Sequence, residues 1–288
     1  MIPAMLALVA SMAVGTAEPT AHLLGFDALQ RQLGEPQMRF LDARPRPEYD
    51  AGHIPGAVWV DVKAAEALAA RPGGLTDRAA WAAWAAPLGI AVGTEVYVYD
   101  ARRQLDAART WWLISHLGVD HVGLVDGGFP LWSKERRPIV AEVPKVKPST
   151  FEVAIRDDRR ADRADVLAAI KGQSSIVVDA RTLDEHTGTK KLAAHGGRVP
   201  TACHLEWSTL VDADGRFLDQ AALEAKVAKL GIGAHKPVIT HCQGGGRASV
   251  DAWVFERLGH PTRNYYLGWS DWGNAEEMPF EVTPRGKP

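Results

Sequence analysis

Cysteine is scarce in this chain. The 288 residues include only two, Cys203 and Cys242. Two cysteines exclude a disulfide-rich scaffold, although they do not settle the compartment. The ten histidines are dispersed, and no His or Cys spacing suits zinc, so we expect no metal and no cofactor. Cys203 opens an apolar, strand-like segment, which favours the role of a small buried hydrophobe over that of a redox partner.

An excess of positive charge is also missing. The formal net charge is −2, and the 33 lysines and arginines are scattered rather than clustered. Nucleic acid is therefore not expected as a partner. With 46% hydrophobic and 24% charged residues, the composition is typical of a soluble globular enzyme, and the length fits one large domain or two ordinary ones.

No hydrophobic run is long enough to predict a membrane span. Residues 1–17 carry no charge and are mostly apolar, but the run is short and Pro3 interrupts it. Small residues at 15–17 suit a signal peptidase, whereas the usual Lys or Arg near the start is lacking. We expect residues 1–17 to be a signal peptide of a periplasmic or secreted protein. If they are not a leader, the protein is expected to be cytoplasmic.

Strand and helix patterns alternate along the rest of the chain. Short apolar segments predict strands, and longer segments with helical spacing, each followed by a glycine, predict helices. The predicted strands are residues 39–41, 58–60, 96–99 and 122–125, and the predicted helices are residues 26–33, 76–88 and 107–117. This alternation predicts an α/β fold, in which a mainly parallel sheet carries helices on both faces.

The pattern then repeats, which indicates an internal duplication. The triplet Asp-Ala-Arg ends a predicted strand at residues 42–44 and again at 179–181, and residues 96–100 align with residues 238–242. This alignment places Trp111 over Trp253. Two tandem doubly wound domains are therefore predicted, at residues 18–140 and 161–288. Residues 141–160, with two prolines and mixed charges, form the predicted linker, although residues 151–155 alternate well enough for an edge strand.

The most informative stretch runs from Ile239 to Ser249, Ile-Thr-His-Cys-Gln-Gly-Gly-Gly-Arg-Ala-Ser. It joins a short apolar strand to a helical pattern through three glycines, with Cys242 at the strand end and Arg247 five positions later. Glycines let successive backbone N–H groups turn toward one centre, and a helix N-terminus adds partial positive charge. A thiol in such a loop is expected to ionise readily, because nearby positive charge favours the thiolate.

Several motifs together resemble those of the rhodanese sulfurtransferases. Cys242-x-x-Gly245-x-Arg247 resembles their active-site loop, and residues 268–273, Gly-Trp-Ser-Asp-Trp-Gly, resemble bacterial thiosulfate sulfurtransferases. Residues 42–44, 52–57 (Gly-His-Ile-Pro-Gly-Ala) and 126–129 (Asp-Gly-Gly-Phe) resemble a first rhodanese domain. The resemblance spans most of the chain between residues 40 and 272.

The predicted catalytic residues are Cys242, as nucleophile, and Arg247, as a contact for the substrate. An alternative for Arg247 is a surface ion pair with Asp251, one helical turn later. Five substrate-binding residues are also predicted. They are Gln243, Gly244, Gly245, Gly246 and Arg181. The loop residues among them are expected to act through their backbone N–H groups. For Arg181, a structural role and a contact with the substrate are both open.

The first half is predicted to be catalytically silent. Asp100 stands where Cys242 stands in the second half, and a carboxylate cannot carry a transferable sulfur. Arg102, Arg103 and Gln104 replace the glycines, so this loop is not expected to bind an anion through its backbone. The second half carries eight extra residues between its Asp-Ala-Arg triplet and Pro200, and this insertion includes Lys190 and Lys191. It is expected to cover the pocket.

The resemblance implies transfer of sulfane sulfur from thiosulfate to cyanide or a thiol through a persulfide on Cys242. The donor 3-mercaptopyruvate is an alternative, although loops of that subfamily end in a hydroxyl residue where Arg247 stands. A cysteine phosphatase fits less well, because those loops place five residues between Cys and Arg, and here there are four. A non-catalytic module that holds a persulfide or an anion is the remaining alternative. We expect a monomer that does not bind membranes.

Overall fold

The computed structural model describes residues 21–172 and 174–283. The predicted signal peptide lies outside these residues. Two parallel sheets follow one another along the chain, and their strand bounds agree closely with the apolar segments of the sequence. The strands are β1 (His22–Leu24), β2 (Met38–Asp42), β3 (Val58–Trp59), β4 (Glu95–Tyr99), β5 (Val122–Val125), β6 (Ile176–Asp179), β7 (Cys203–His204), β8 (Val238–His241) and β9 (Thr262–Tyr265).

The two sheets have the same strand order when one of them is read in reverse, except that the first sheet has an additional edge strand, β1. The first runs β1-β5-β4-β2-β3 and the second β7-β6-β8-β9, and all of their strand pairs are parallel. The strand that ends at Cys242, β8, pairs with β6 and β9, as β4 pairs with β2 and β5. Parallel strands bring their carboxyl ends to one edge, where loops build sites. The predicted α/β class and the duplication are therefore confirmed.

Helices cover both faces of each sheet. They are α1 (Phe26–Arg31), α2 (Arg46–Ala51), α3 (Val62–Ala70), α4 (Arg78–Ala85), α5 (Leu105–His116), α6 (Gly128–Lys134), α7 (Arg163–Gly172), α8 (Leu183–Thr187), α9 (Gln220–Ala228), α10 (Gly246–Arg257) and α11 (Gly268–Trp272). The helix predicted over residues 76–88 is shorter, because the Asp77 side chain caps its start and Pro87 lies in a separate 3₁₀ turn. Helix α3 was missed by the sequence analysis. It also begins after an aspartate, Asp61, whose side chain caps the helix.

The two halves share one hydrophobic core. Helices α5 and α10 pack against each other, and their tryptophans Trp112 and Trp253 are 1% exposed within this common core. Residues 151–155 form no strand, and the chain there follows an irregular path past the end of α5, with Ala154 N–H donating to Leu117 O. Within residues 21–172 and 174–283, no helix is long and apolar enough to cross a membrane.

Candidate active site

Cys242 directly follows β8 and is 2% exposed. Its carbonyl accepts a hydrogen bond from the Trp269 N–H at 2.7 Å, and a Cβ atom on Gly268 would collide with that carbonyl. The same contact joins Phe129 N–H to the Asp100 carbonyl at 2.8 Å in the first half. The duplicated framework therefore holds the residue after the central strand in the same way in both halves.

The loop after Cys242 depends on its glycines. Gly245 has a backbone φ of +81°, which favours glycine, and a Cβ atom there would collide with the Tyr266 ring. At Gly246, a Cβ atom would collide with the guanidinium of Arg109. Helix α10 begins at Gly246, and its first intrahelical bond runs from Ser249 N–H to Gly245 O. The N–H groups of the first helical turn have no carbonyl within the helix to bind.

The corresponding loop of the first half shows what such N–H groups do. The Asp100 carboxylate accepts hydrogen bonds from four backbone N–H groups, at 2.8 to 3.1 Å. The donors are Arg102, Gln104, Asp106 and Ala107. Burial raises the pKa of Asp100, and the N–H donors act in the opposite direction.

This arrangement corrects the expectation for the first half. Its loop does bind an anion through the backbone although it lacks glycines, and that anion is its own Asp100. Arg103 and Gln104 take up the left-handed conformation that glycine would otherwise supply, with φ of 56° and 73°. Two of the N–H donors to Asp100 belong to the second and third residues of α5. The equivalent positions of α10 are Arg247 and Ala248.

Counting from the helix starts also corrects the alignment of the two halves. Trp253 is seven residues after the start of α10, and the residue seven after the start of α5 is Trp112 rather than Trp111. The loop that follows Cys242 is therefore one residue shorter than the loop that follows Asp100.

Arg247 lies opposite Glu185 rather than Asp251. Its Nη1 and Nη2 atoms contact the two carboxylate oxygens at 2.7 and 2.9 Å. Burial opposes ionisation of Glu185, but the hydrogen bonds and charge of Arg247 outweigh it and lower the pKa of Glu185 to about 2. Burial lowers the pKa of Arg247, but Glu185 and the Cys242 thiolate raise it by more. The guanidinium is therefore fixed as a cation near the thiol.

Glu185 was missed by the sequence analysis, although a signal for it exists. Thr182 and Glu185 form a capping box at the start of α8, in which the Thr182 side chain accepts from the Glu185 N–H and the Glu185 side chain accepts from the Thr182 N–H. That pattern can locate a helix start from sequence alone. It cannot show that the same carboxylate also binds an arginine 62 residues away.

Arg181 is buried in a bidentate ion pair with Asp179. The Arg181 Nε and Nη2 atoms donate to the two carboxylate oxygens at 2.8 and 2.6 Å, and Nη2 also donates to the Gly197 carbonyl at 2.7 Å. Its counterpart Arg44 contacts Asp42 and Gly52 in the same manner. Burial raises the pKa of Asp179, but His241, His186 and Arg181 outweigh it and hold that pKa well below its usual range.

The sequence model of a family described as rhodanese-like domain matches residues 26–135 and 162–275. The chain belongs to the rhodanese family. It is 33% identical over 256 residues to a thiosulfate sulfurtransferase of Pseudomonas aeruginosa, which covers 88% of this chain and 94% of that protein. It is 26% identical to a 3-mercaptopyruvate sulfurtransferase of Escherichia coli K12, over 91% and 98% of the two chains.

The fold agrees with these sequence matches. The crystal structure of Escherichia coli SseA, described as a rhodanese fold of the 3-mercaptopyruvate enzymes, superposes with a TM-score of 0.73 at 25% identity and covers 87% of this chain and 99% of that one. The protein is therefore a tandem-domain, rhodanese-family sulfurtransferase, and a sulfur donor and a sulfur acceptor are its substrates. This confirms the resemblance drawn from the sequence.

The insertion of the second half reaches the loop that follows Cys242. The Gln243 side-chain amide donates to the Leu192 carbonyl at 3.3 Å, and His195 N–H donates to Gly273 O at 2.8 Å. Lys190 and Lys191 are exposed. Arg198, which replaces a histidine of the family pattern, pairs with Glu281 at 3.1 Å. The insertion is thus hydrogen-bonded both to the loop after Cys242 and to the end of α11.

Among the described residues, two buried ionisable side chains near Cys242, His241 and Asp251, have no hydrogen-bond partner. Neither ring nitrogen of His241 has one, and its Nε2 is 3.9 Å from Asp179 Oδ2. Burial lowers the pKa of His241 to about 4. Both carboxylate oxygens of Asp251 also lack a partner, and burial, with Cys242 as a nearby negative charge, raises its pKa well above the usual range. Both effects favour the neutral form of Asp251.

Cys203 lies apart from this chemistry. It is in β7, only partly buried, and its Sγ is 4.0 Å from the Leu230 carbonyl. Burial raises the pKa of the Cys203 thiol, which disfavours the reactive thiolate. In residues 21–172 and 174–283, no three His, Cys, Asp or Glu side chains are grouped as metal ligands would be.

Proposed function

We propose that this protein transfers sulfane sulfur from thiosulfate to cyanide or another thiophilic acceptor, with Cys242 as the nucleophile. The observation that carries the proposal is the anion site at the end of β4, where four backbone N–H groups bind the Asp100 carboxylate. Cys242 occupies the equivalent place at the end of β8. The same framework therefore offers a site for a thiolate and, after sulfur transfer, for a persulfide anion.

The reaction has two displacement steps. The Cys242 thiolate attacks the outer sulfur of thiosulfate, the S–S bond of thiosulfate breaks, and sulfite leaves with the bonding electron pair. The product is a persulfide anion on Cys242. Cyanide then attacks the terminal sulfur of the persulfide, and thiocyanate leaves as the Cys242 thiolate is restored. Neither step requires a net proton transfer, which agrees with the absence of a role for His241.

Arg247 is proposed to orient the sulfonate part of the donor. Its fork of N–H donors suits an oxyanion, and Glu185 fixes the position of that fork. Gln243, Gly244, Gly245 and Gly246 contribute through backbone N–H groups. Arg181 is proposed to act indirectly, because the residue is 1% exposed and its guanidinium is bound to Asp179 and to the Gly197 carbonyl.

The domain assignment follows from the same comparison. We propose that residues 18–140 form a catalytically silent domain, that residues 141–160 link the two domains, and that residues 161–288 form the catalytic domain. The Asp100 carboxylate fills the anion site of the first domain, so no donor anion can enter it. The insertion of the second domain is proposed to narrow access to Cys242, since it hydrogen-bonds to Gln243.

Steady-state kinetics with both donors would test this function. Sulfite and thiocyanate should form with thiosulfate and cyanide, with the parallel double-reciprocal lines of a double displacement. Cys242→Ser should abolish the reaction, and Cys203→Ser, the matched control, should retain it. A kcat/KM higher for 3-mercaptopyruvate than for thiosulfate would reassign the donor. Absence of turnover with either donor would favour a module that only binds a persulfide or an anion.

A further inference from the structure

Helix α5 belongs to the first domain, yet one of its side chains ends at the catalytic loop of the second. Arg109 Nη1 donates to the Gly244 carbonyl and to the Tyr266 hydroxyl, both at 2.8 Å. Its Nη2 pairs with Glu66 of α3 at 2.7 Å, and the Arg109 side chain is 11% exposed. These contacts cross 135 residues of sequence to reach the loop.

The packing around this arginine leaves the loop little freedom. The guanidinium lies directly against Gly246, where a Cβ atom would collide with it. The Tyr266 ring lies against Gly245 and stacks on Trp112 of α5, with 5.0 Å between ring centroids. Arg109 and Trp112 are three residues apart and so share one face of α5. Arg109 therefore contacts Gly244 and Gly246 directly, and Trp112 supports the Tyr266 ring that lies against Gly245.

We propose that Arg109 is a positioning residue for sulfur transfer, supplied by the silent domain to the catalytic loop of its neighbour. The proposal rests on the proposed role of Cys242. In a planar trans peptide, the C=O and the following N–H point in opposite directions. When Arg109 holds the Gly244 carbonyl toward the first domain, the N–H of Gly245 is turned away from that domain and into the loop. The silent domain thus sets the orientation of a backbone donor that the catalytic domain uses.

The charge of Arg109 also acts on the thiol. Burial opposes the charge of Arg109, but Tyr266, Glu66 and the Cys242 thiolate together raise its pKa. The positive charge of Arg109 therefore attracts the Cys242 thiolate, and the Glu66 carboxylate partly cancels that attraction. The other ionisable groups near the thiol or near Arg109 are Arg247, Asp251, His241, Tyr266 and Asp106.

Substitutions of Arg109 and of its partner Glu66 should shift the reactivity of Cys242 in opposite directions. Such opposite shifts are not expected if Arg109 only stabilises the interface between the domains. In a Cys203→Ser background, the pH dependence of Cys242 alkylation by iodoacetamide should move to higher pH in Arg109→Gln and to lower pH in Glu66→Gln. Arg109→Gln should also lower kcat/KM for thiosulfate about 10- to 100-fold, because a displaced catalytic group can cost about that much. Arg109→Lys should restore the alkylation midpoint more than the rate, since lysine keeps the charge and loses the fork.

Arg103 offers a matched control. It also bridges the two domains, donating to the Asp212, Ser208 and Val211 carbonyls at 2.8 to 3.0 Å, but it does not touch the catalytic loop. Arg103→Gln should lower the melting temperature without moving the alkylation midpoint. If Arg109→Gln behaves like Arg103→Gln, with an unchanged midpoint and an unchanged kcat/KM, the proposal is wrong.

The test also separates this proposal from the proposed function. Alkylation needs no sulfur donor, so its pH profile reports on Arg109 even if thiosulfate is not the substrate. Failure of Cys242 to take up sulfur from any donor in the wild-type protein would overturn the function. If Arg109→Gln does not fold, Arg109→Lys is the deciding variant. A kcat/KM equal to that of the wild type would contradict the proposal that the forked guanidinium is required.

Discussion

The ion pair between Arg247 and Glu185 gives the most detailed prediction. Glu185→Gln keeps the size of the side chain and removes its charge. The Glu185 side chain is 2% exposed and that of Arg247 19%, so the substitution leaves a mostly buried guanidinium without its counter-ion. We expect the free energy of unfolding at pH 7 to fall by about 2–3 kcal/mol, at the low end of the cost of breaking a buried pair.

The pH dependence of that loss follows from the pKa of Glu185. Its folded value of about 2 lies below the ordinary value of 4.5. The stabilisation is therefore complete above about pH 4.5 and is lost as the pH falls toward 2. A pKa difference of this size corresponds to a contribution of about 3 kcal/mol at most to the free energy of unfolding. The gap between wild type and Glu185→Gln should shrink to less than half of its pH 7 value by about pH 3.

Urea unfolding followed by tryptophan fluorescence would measure this gap. Thr182→Ala is the matched control, because it removes the helix cap at a cost of about 1 kcal/mol and leaves the ion pair in place. Its effect should change less between pH 7 and pH 3 than that of Glu185→Gln, because Arg247 lowers the pKa of Glu185 more than Thr182 does. For activity, Glu185→Gln removes the charge that fixes the Arg247 fork, so the KM for thiosulfate should rise. A stability gap that is equal at pH 7 and pH 3, or an unchanged KM, would refute the reasoning.

Four further substitutions test separate parts of the account. Arg247→Lys should raise the KM for thiosulfate about tenfold or more in initial-rate assays, because lysine cannot form the bidentate contact. Gly245→Ala should lose activity and about 1–3 kcal/mol in urea unfolding, because alanine is strained at a φ of +81°. Asp100→Ala should lower the melting temperature by leaving buried N–H groups unsatisfied, with kcat/KM retained. As the pH falls from about 6.5 to about 4, the wild type should lose up to about 3 kcal/mol of unfolding free energy, because the buried neutral His241 resists protonation. His241→Gln should abolish that loss.

Local patterns in the sequence were enough to predict the strand and the glycine loop around Cys242, the proposed nucleophile. The strand that ends at Cys242, the glycines after it and the repeat of Asp-Ala-Arg are all properties of neighbouring residues, and the structure places them as predicted. Helix propensity was less reliable for residues 76–88, where caps and Pro87 divide the segment.

Contacts between distant residues could not be predicted in the same way. Glu185 binds Arg247 only because α8 and the catalytic loop meet at one edge of the second sheet, and Arg109 reaches Gly244 only because α5 packs on α10. The rule that an anion-binding loop needs glycine failed at Gln104, since the hydrogen bond from its N–H to Asp100 stabilises a left-handed backbone there. Such stabilisation depends on the folded environment.

The central claim is that Cys242 carries the transferred sulfur, and the mass of the intact protein after incubation with thiosulfate tests it most directly. The account predicts a gain of one sulfur atom, about 32 Da, in the wild type and in Cys203→Ser, its removal by cyanide, and no gain in Cys242→Ser. Sulfur uptake that persists in Cys242→Ser, or a wild-type protein that gains no mass from thiosulfate or 3-mercaptopyruvate, would contradict it.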